Sequence, residues 1–333
     1  MIRFLRPLLV LFALSLATLP AAAQVDIFGM FNVGPAMDAN AKVLERNLAY
    51  SDGERRKLDI YGPVDPHGPS PVVMFIYGGA WDHGNKEGYE FAGRALAANG
   101  FVVVIPDYRL YPDVRYPDFL VDNAAAVKWI EDNIAKYGGD TKRFYIAGHS
   151  AGAYNAVMLG VEKSFLRDFG VTMPIQAIAA ISGPYDFYPF EYDQVRNTFG
   201  NTDNPEGTQP INLVTPGLPP MFLASGTSDP IVRVQNTQNL AKKLLASGDW
   251  VTEKYYDGFG HLEPVFALGQ LWRWRMPILQ DVVNFFTQFG AFPSGVPTPV
   301  YTPAPPEGMA DMQTTIAKLD ALFEPISNRK GGF

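Results

Sequence analysis

The sequence predicts an α/β fold with three layers, in which a mostly parallel, twisted sheet lies between two layers of helices. Short apolar, β-branched segments alternate with amphipathic segments from Val72 to Phe289. That alternation is typical of parallel strands joined by crossover helices. Two further segments precede it, and the second alternates polar and apolar residues, as a half-exposed antiparallel strand does. We therefore expect two antiparallel strands at the amino-terminal edge of the sheet.

The elements follow from the spacing of the apolar residues. Gly100 and the glycine pair at 138–139 are placed to end the first two helices. Strands are predicted at residues 47–50, 56–61, 72–77, 101–105, 143–147, 175–181, 220–225 and 251–256, and helices at 87–99, 118–136, 153–161, 232–246 and 271–289.

The first 23 residues have the features of an export signal. Arg3 and Arg6 supply positive charge, residues 8–19 are apolar, and residues 21–23 form an A-x-A cleavage site. The apolar run is too short to span a membrane comfortably. We therefore expect residues 1–23 to be removed and the protein to be periplasmic or secreted.

The remaining chain is predicted to form one domain and a tail. Residues 24–290 carry the strand and helix pattern, and within them residues 184–219, rich in aromatic residues, Pro and Gly, interrupt it as a cap-like insertion. Residues 291–333 begin with six prolines between 293 and 306 and end in a helix-like segment. The sequence leaves the role of this tail and the oligomeric state open.

Composition excludes several classes of partner. The formal net charge is −7 and no basic cluster is present, which argues against nucleic acid and against an anionic membrane surface. No segment after the leader is long and apolar enough for stable membrane insertion. The chain has no cysteine, so its export would not depend on disulfides.

One turn predicts the chemistry. Residues 148–152 read Gly-His-Ser-Ala-Gly and join a predicted strand to a predicted helix. This is the pattern of a nucleophile elbow, in which glycines let strand and helix approach closely around a strained serine. Ser150 would then project from the carboxyl edge of the sheet, where ligands of such sheets bind.

A serine hydroxyl needs a base and a group that orients the base. The chain has four histidines. His67 lies among prolines, His83 follows a glycine pair, and His149 is beside the serine, whereas His261 lies in a Gly-rich loop after the last strand. From that loop a side chain could reach back to Ser150, so we predict that His261 is the base.

The orienting acid should lie between nucleophile and base in the sequence. Asp229 follows a predicted strand and precedes Pro230. Its carboxylate would hold the imidazole of His261 in the productive tautomer. An Asp-Pro pair also begins helices, so a helix-capping role for Asp229 is the alternative. Asp257 and Glu263 flank the histidine too closely to orient it.

Backbone N–H groups are predicted to bind the developing negative charge. Ala151, which follows the nucleophile, would supply one, and Gly78 and Gly79, directly after a buried strand, would supply others. The alternative for the glycine pair is a simple tight turn.

These segments together carry a family resemblance. Tyr-Gly-Gly-Ala-Trp at 77–81, Asp-Tyr-Arg-Leu at 107–110, Gly-His-Ser-Ala-Gly at 148–152, Asp-Pro at 229–230 and Gly-His at 260–261 resemble the α/β-hydrolase fold. The chain looks most like its esterase branch, which includes hormone-sensitive-lipase-like carboxylesterases, feruloyl-type esterases and kynurenine formamidases.

The resemblance implies a carboxylic-ester hydrolase that uses no cofactor or metal and acts on a small-molecule ester. Ser150, Asp229 and His261 match the family triad, and Gly78, Gly79 and Ala151 match its oxyanion hole. Tyr77 replaces the usual loop histidine, and Ala80 replaces a glycine.

Aromatic residues are expected to line the substrate cleft. Trp81, His149, Tyr185 and Phe187 are the candidates, and such a cleft would favour aryl or short acyl esters. The alternative is that these aromatic side chains are core residues of the insertion. Two other functions fit the same residues: an arylformamidase or peptidase that uses this triad, and a non-catalytic binding protein with this fold.

Overall fold

A computed structural model describes residues 28, 32 and 38–292 of the chain. The predicted leader and nearly all of the proline-rich tail lie outside these residues. The strands are β1 (Ala41–Ala49), β2 (Lys57–Pro63), β3 (Ser70–Ile76), β4 (Val102–Pro106), β5 (Gly139–His149), β6 (Ile175–Ile181), β7 (Met221–Gly226) and β8 (Val251–Tyr256).

From β3 onward, helices connect successive strands. They are α1 (Glu90–Ala98), α2 (Asp118–Asn133), α3 (Ala151–Val161), α4 (Ser164–Asp168), α5 (Asp193–Phe199), α6 (Gln235–Ser247), α7 (Glu263–Phe266) and α8 (Ile278–Gln288). Within the described part of the chain, no helix is long and apolar enough to span a membrane.

The strands form a single eight-stranded sheet in the order β1-β2-β4-β3-β5-β6-β7-β8. β1 pairs with β2 and β2 with β4 in antiparallel fashion, whereas every other pair is parallel. The predicted α/β fold, with a mostly parallel sheet and two antiparallel strands at its amino-terminal edge, is confirmed.

Burial explains why the central strands read as continuous apolar runs. All residues of β3 and β4 are buried, since helices cover both faces of a parallel sheet. Helices α1 and α8 contact each other, as do α2 and α3. The sheet thereby presents the carboxyl ends of β3, β5, β7 and β8 at one edge, where the predicted site residues follow them.

Several boundaries differ from the prediction, among them those of the last helix, of β1 and of β5, which begins at Gly139 rather than at 143. The last helix begins at Ile278 rather than at 271, because Pro277 lacks an N–H and disfavours helical backbone in the residue before it. β1 is longer than predicted and begins at Ala41. The insertion holds the short helix α5, which buries Val195 and Phe199 on one side; its seven residues are too few for a clear period among the surrounding loops.

Candidate active site

Ser150 lies in the tight turn between β5 and α3. Its backbone has φ +55° and ψ −123°, a strained conformation for a residue with a side chain. A Cβ atom on Gly148 would lie 2.3 Å from the carbonyl oxygen of Gly152, and one on Gly152 would lie 2.0 Å from that of Ile76. The glycines are therefore required by close backbone approach, which is the steric reason that the sequence pattern suggested.

The three predicted triad residues meet at this turn. His261 Nε2 lies 2.9 Å from Ser150 Oγ, and His261 Nδ1 lies 2.8 Å from Asp229 Oδ2. An ionised carboxylate can accept a hydrogen bond but cannot donate one. From this contact we therefore assign the Nδ1–H tautomer to the neutral imidazole. Nε2 is then free to accept the proton of the serine hydroxyl.

Asp229 is held in place by the backbone that follows it. Its Oδ1 accepts the N–H groups of Ile231 and Val232, each at 2.9 Å. These hydrogen bonds form a local turn. Helix α6 begins only at Gln235, with Val234 as its N-cap, so Asp229 does not cap a helix. The side chain of Asp229 is fully buried and that of His261 nearly so, so their hydrogen bond is shielded from competing water.

The structure changes the predicted oxyanion hole at one position. The N–H of Gly78 donates to the hydroxyl of Tyr89 at 3.2 Å, so it is not available to a substrate oxygen in this arrangement. Gly78 instead permits close packing, because a Cβ atom there would lie 2.9 Å from Ser150 Cβ.

The N–H groups of Gly79, Ala80 and Ala151 have no acceptor among residues 28, 32 and 38–292. Gly79 and Ala80 are partly exposed beside the partly exposed Ser150, and Ala151 is the first residue of α3, where no helical acceptor exists. Ala80 was not predicted as a donor. Its φ of +46° shows how this loop turns without the glycine that the family usually has there.

The histidine loop is braced by a buried ion pair. Glu263 accepts the N–H of Gly260 at 2.5 Å with Oε2, and its Oε1 lies 3.2 Å from Arg275 Nη1. The guanidinium of Arg275 lies over the rings of Phe259 and Trp272, at 5.0 and 4.8 Å. Such stacking and pairing fix a long side chain in one position. The sequence gave no signal for this brace, because its members meet only in the fold.

The four predicted substrate-binding residues, Trp81, His149, Tyr185 and Phe187, are all buried. The indole N–H of Trp81 donates to Asn155 Oδ1 at 3.0 Å, and both ring nitrogens of His149 have protein partners. In this structure the four side chains therefore pack as core residues, which was the alternative given for the aromatic candidates.

Phe187 lines a cavity of about 120 Å³ in the insertion. Its ring contacts those of Trp81 and of Tyr154 on α3, at 6.1 and 5.8 Å. The cavity is lined by Asp186, Phe187, Tyr188, Pro189, Glu191, Tyr192, Val195 and Arg233.

The insertion is tied to the loop that carries the predicted oxyanion donors. Gln194 Nε2 on α5 donates to Asp82 Oδ2 at 2.5 Å. Asp82 follows Ala80 and Trp81 directly, so α5 lies beside the site. In the described ranges, no group of three or more His, Cys, Asp or Glu side chains is arranged to hold a metal ion.

Comparison with known proteins places the chain in a family. The BD-FAE family model matches residues 58–244. The chain belongs to the BD-FAE family. This BD-FAE chain is 29% identical over 292 residues to the probable isoprenylcysteine alpha-carbonyl methylesterase ICME of Oryza sativa subsp. japonica, which covers 81% of the chain and 70% of that relative.

A second relative of this BD-FAE chain is the esterase LipC of Mycobacterium tuberculosis. The two are 31% identical over 227 residues, which cover 61% of the chain and 56% of LipC. The chain thus spans little more than half the length of LipC.

Solved esterase structures share the fold. Esterase B from Lactobacillus rhamnosis superimposes with a TM-score of 0.70 at 20% identity, covering 81% of the chain and 91% of that structure. A truncated carbohydrate esterase from gut microbiota has a TM-score of 0.66 at 22% identity. The match covers 77% of the chain and 98% of that structure. The BD-FAE chain is a carboxylic-ester hydrolase with the α/β-hydrolase fold.

Proposed function

We propose that this protein cleaves carboxylic esters through an acyl-enzyme on Ser150, with His261 as general base and acid and Asp229 as the orienting group. The observation that carries the proposal is the continuous path from Asp229 through His261 to Ser150, at 2.8 and 2.9 Å. A hydroxyl within 2.9 Å of an imidazole held in the accepting tautomer is an activated nucleophile.

Acylation begins with attack of Ser150 Oγ on the ester carbonyl carbon. The hydroxyl proton moves to His261 Nε2, and the carboxylate of Asp229 stabilises the resulting imidazolium. The carbonyl oxygen becomes an alkoxide, for which we assign the N–H groups of Gly79, Ala80 and Ala151 as donors. Collapse breaks the ester C–O bond, and His261 returns the proton to the leaving alcohol.

Deacylation repeats the sequence with water as the nucleophile. His261 Nε2 takes a proton from water, the hydroxide attacks the acyl carbon, and the same N–H groups bind the second alkoxide. Collapse releases the carboxylic acid and returns the proton to Ser150 Oγ. The complete cycle consumes one water for each ester that is cleaved.

We propose aryl or short acyl esters as substrates. The support is the aromatic side chains of the insertion beside the loop at 79–81, where Phe187 stacks on Trp81 with ring centroids 6.1 Å apart. The name of the rice relative, a methylesterase, is consistent with a small alcohol.

Hydrolysis of p-nitrophenyl esters of increasing acyl length tests this function. We expect the highest kcat/KM with acetate or butyrate and loss of more than about 1000-fold in Ser150→Ala. A preference for long chains would contradict the substrate proposal. Faster cleavage of an N-formyl aniline or a dipeptide would favour the arylformamidase or peptidase, and no turnover of any substrate would favour a non-catalytic binding protein.

The proposed location is the periplasm or the exterior of the cell, and its support is the sequence pattern of residues 1–23. Mass spectrometry of the amino terminus after expression with the full leader tests it. We expect a mature chain that begins at Gln24, and an intact leader in the cytosolic fraction would contradict export.

A further inference from the structure

His149, the residue before the nucleophile, is a buried titratable group that the proposed mechanism does not use. Its Nδ1 lies 2.9 Å from the hydroxyl of Tyr89, and its Nε2 lies 3.2 Å from the carbonyl oxygen of His261. His149 is 1% exposed and Tyr89 3%. A buried polar side chain with two protein partners is held in one orientation.

The donors and acceptors in this arrangement are determined by the groups at its two ends. The carbonyl oxygen of His261 can only accept, so His149 Nε2 carries the proton and Nδ1 is the acceptor. The hydroxyl of Tyr89 then donates to His149 Nδ1, and its oxygen accepts the N–H of Gly78. Each of the three hydrogen bonds from Gly78 through Tyr89 and His149 to His261 thus has one donor and one acceptor, and together they form a hydrogen-bonded series.

This series joins the three segments that must be aligned for catalysis. Gly78 precedes the loop with the oxyanion donors, His149 is bonded to the nucleophile Ser150, and His261 is the base. The side chains of Tyr89 and His149 lie behind the site, and the ring of Phe28 stacks on Tyr89 at 4.7 Å, which covers it. Burial keeps the pKa of His149 well below its usual range, which is consistent with a neutral imidazole.

We propose that Tyr89 and His149 are positioning residues that hold the oxyanion loop, the nucleophile and the catalytic histidine at fixed relative positions. This inference rests on the proposed function. Because alignment of reacting groups matters most in the transition state, loss of the series lowers kcat and leaves KM nearly unchanged.

The test compares Tyr89→Phe and His149→Leu with the matched control Tyr145→Phe. Tyr145 is also fully buried, and its hydroxyl donates to the carbonyl of Phe289 at 2.8 Å in a part-buried hydrogen bond, so the control loses a tyrosine hydrogen bond outside the series. We expect kcat to fall about ten-fold in Tyr89→Phe, which corresponds to one buried hydrogen bond. Tyr145→Phe keeps the kcat of the wild type.

Two further variants separate positioning from general destabilisation. His149→Gln retains an amide donor for the carbonyl of His261, so it should keep more kcat than His149→Leu. The double variant Tyr89→Phe/His149→Leu should lose no more than the larger single loss, since both break one series. The proposal would be overturned if the losses of kcat were additive in the double variant. It would also be overturned by a kcat within two-fold of wild type in both folded single variants, or by an equal loss in Tyr145→Phe.

The tautomer of His149 gives a readout that does not require activity. In a long-range ¹H–¹⁵N spectrum of the wild-type protein, we expect a protonated Nε2 on His149 and a protonated Nδ1 on His261. The chain has four histidines, so assignment by substitution is direct. A protonated Nδ1 on His149 would overturn this inference even if ester hydrolysis is confirmed. A wild type without esterase activity would instead overturn the proposed function.

Discussion

Arg55 Nη2 donates to the phenolic oxygen of Tyr77 at 2.8 Å and to the carbonyl oxygen of Gly84, also at 2.8 Å. Tyr77 is fully buried and stacks on Tyr108 with ring centroids 4.6 Å apart. Burial raises the pKa of the Tyr77 hydroxyl well above its usual value, so it stays a neutral phenol. Tyr77 and Gly84 flank the oxyanion loop, so Arg55 braces that loop. It does so through Tyr77, which stands where the family usually has a histidine.

Arg55→Met should lower both stability and activity. It leaves the Gly84 carbonyl without this donor and weakens the hold on Tyr77, which costs about 1–3 kcal/mol of unfolding free energy. Urea denaturation measures this cost. The control is Arg167→Met, which removes an exposed ion pair with Asp168 and should change stability by less than about 0.5 kcal/mol. Equal effects of the two substitutions would contradict the brace.

Asp229→Asn should abolish most activity without unfolding the protein. The amide oxygen can still accept the N–H groups of Ile231 and Val232, but the amide cannot enforce the Nδ1–H tautomer of His261, so kcat should fall by about four orders of magnitude.

The matched control is Asp249→Asn. Asp249 and Asp229 are each 8% exposed when the whole residue is counted. Asp249 Oδ1 also accepts two backbone N–H groups, from Gly217 and Leu218. It lies before β8, at the opposite edge of the sheet from the site. The kcat of Asp249→Asn should match that of the wild type. A comparable loss of kcat in both variants would argue against a special role for Asp229.

The Arg275–Glu263 pair should stabilise the histidine loop. Arg275→Met leaves the Glu263 carboxylate buried without its cation, which costs about 3–5 kcal/mol. Glu263→Gln keeps an oxygen for the N–H of Gly260, and the double variant should lose less than the sum of the single losses. These values come from urea denaturation, and a cost for Arg275→Met below about 1 kcal/mol would contradict a buried pair.

His149 should make stability depend on pH on the acidic side. Burial, and then the neighbouring His261, hold the pKa of His149 well below 6.5 in the native state, whereas the unfolded chain has a pKa of about 6.5 at this residue. Below that pH the unfolded chain takes up a proton that the native state does not. The unfolding free energy therefore falls with decreasing pH, by up to about 1.4 kcal/mol per pH unit from this residue.

Urea denaturation of His149→Gln between pH 5 and 7 measures this contribution. We expect a shallower decrease in stability than in wild type. The same substitution at the exposed His67 should leave the pH dependence unchanged. Parallel curves for His149→Gln and wild type would show that His149 is not held neutral by the fold.

The sheet and the meeting of Ser150, Asp229 and His261 could be predicted because their signals are local or ordered. Continuous apolar runs indicate β3 and β4, and the order of Ser150, Asp229 and His261 along the chain follows the order of strands at one sheet edge. The glycines of the elbow have the close contacts that the pattern suggested.

Contacts between distant side chains could not be predicted. Tyr89 is 60 residues from His149, and nothing in the spacing shows that its hydroxyl reaches both His149 and Gly78. The donor role of Gly78 was expected from its place after a strand, yet the N–H points to Tyr89. Trp81 was expected in a cleft because it is aromatic, but its ring packs against Phe187 and Phe199 of the insertion and is buried.

Labelling with a fluorophosphonate tests the central claim most directly, because the reagent forms a covalent bond only with an activated serine hydroxyl. We predict one adduct per native chain, located by tandem mass spectrometry on Ser150, with none in Ser150→Ala. An unlabelled native wild type, or an adduct at another serine together with full activity in Ser150→Ala, would contradict the account.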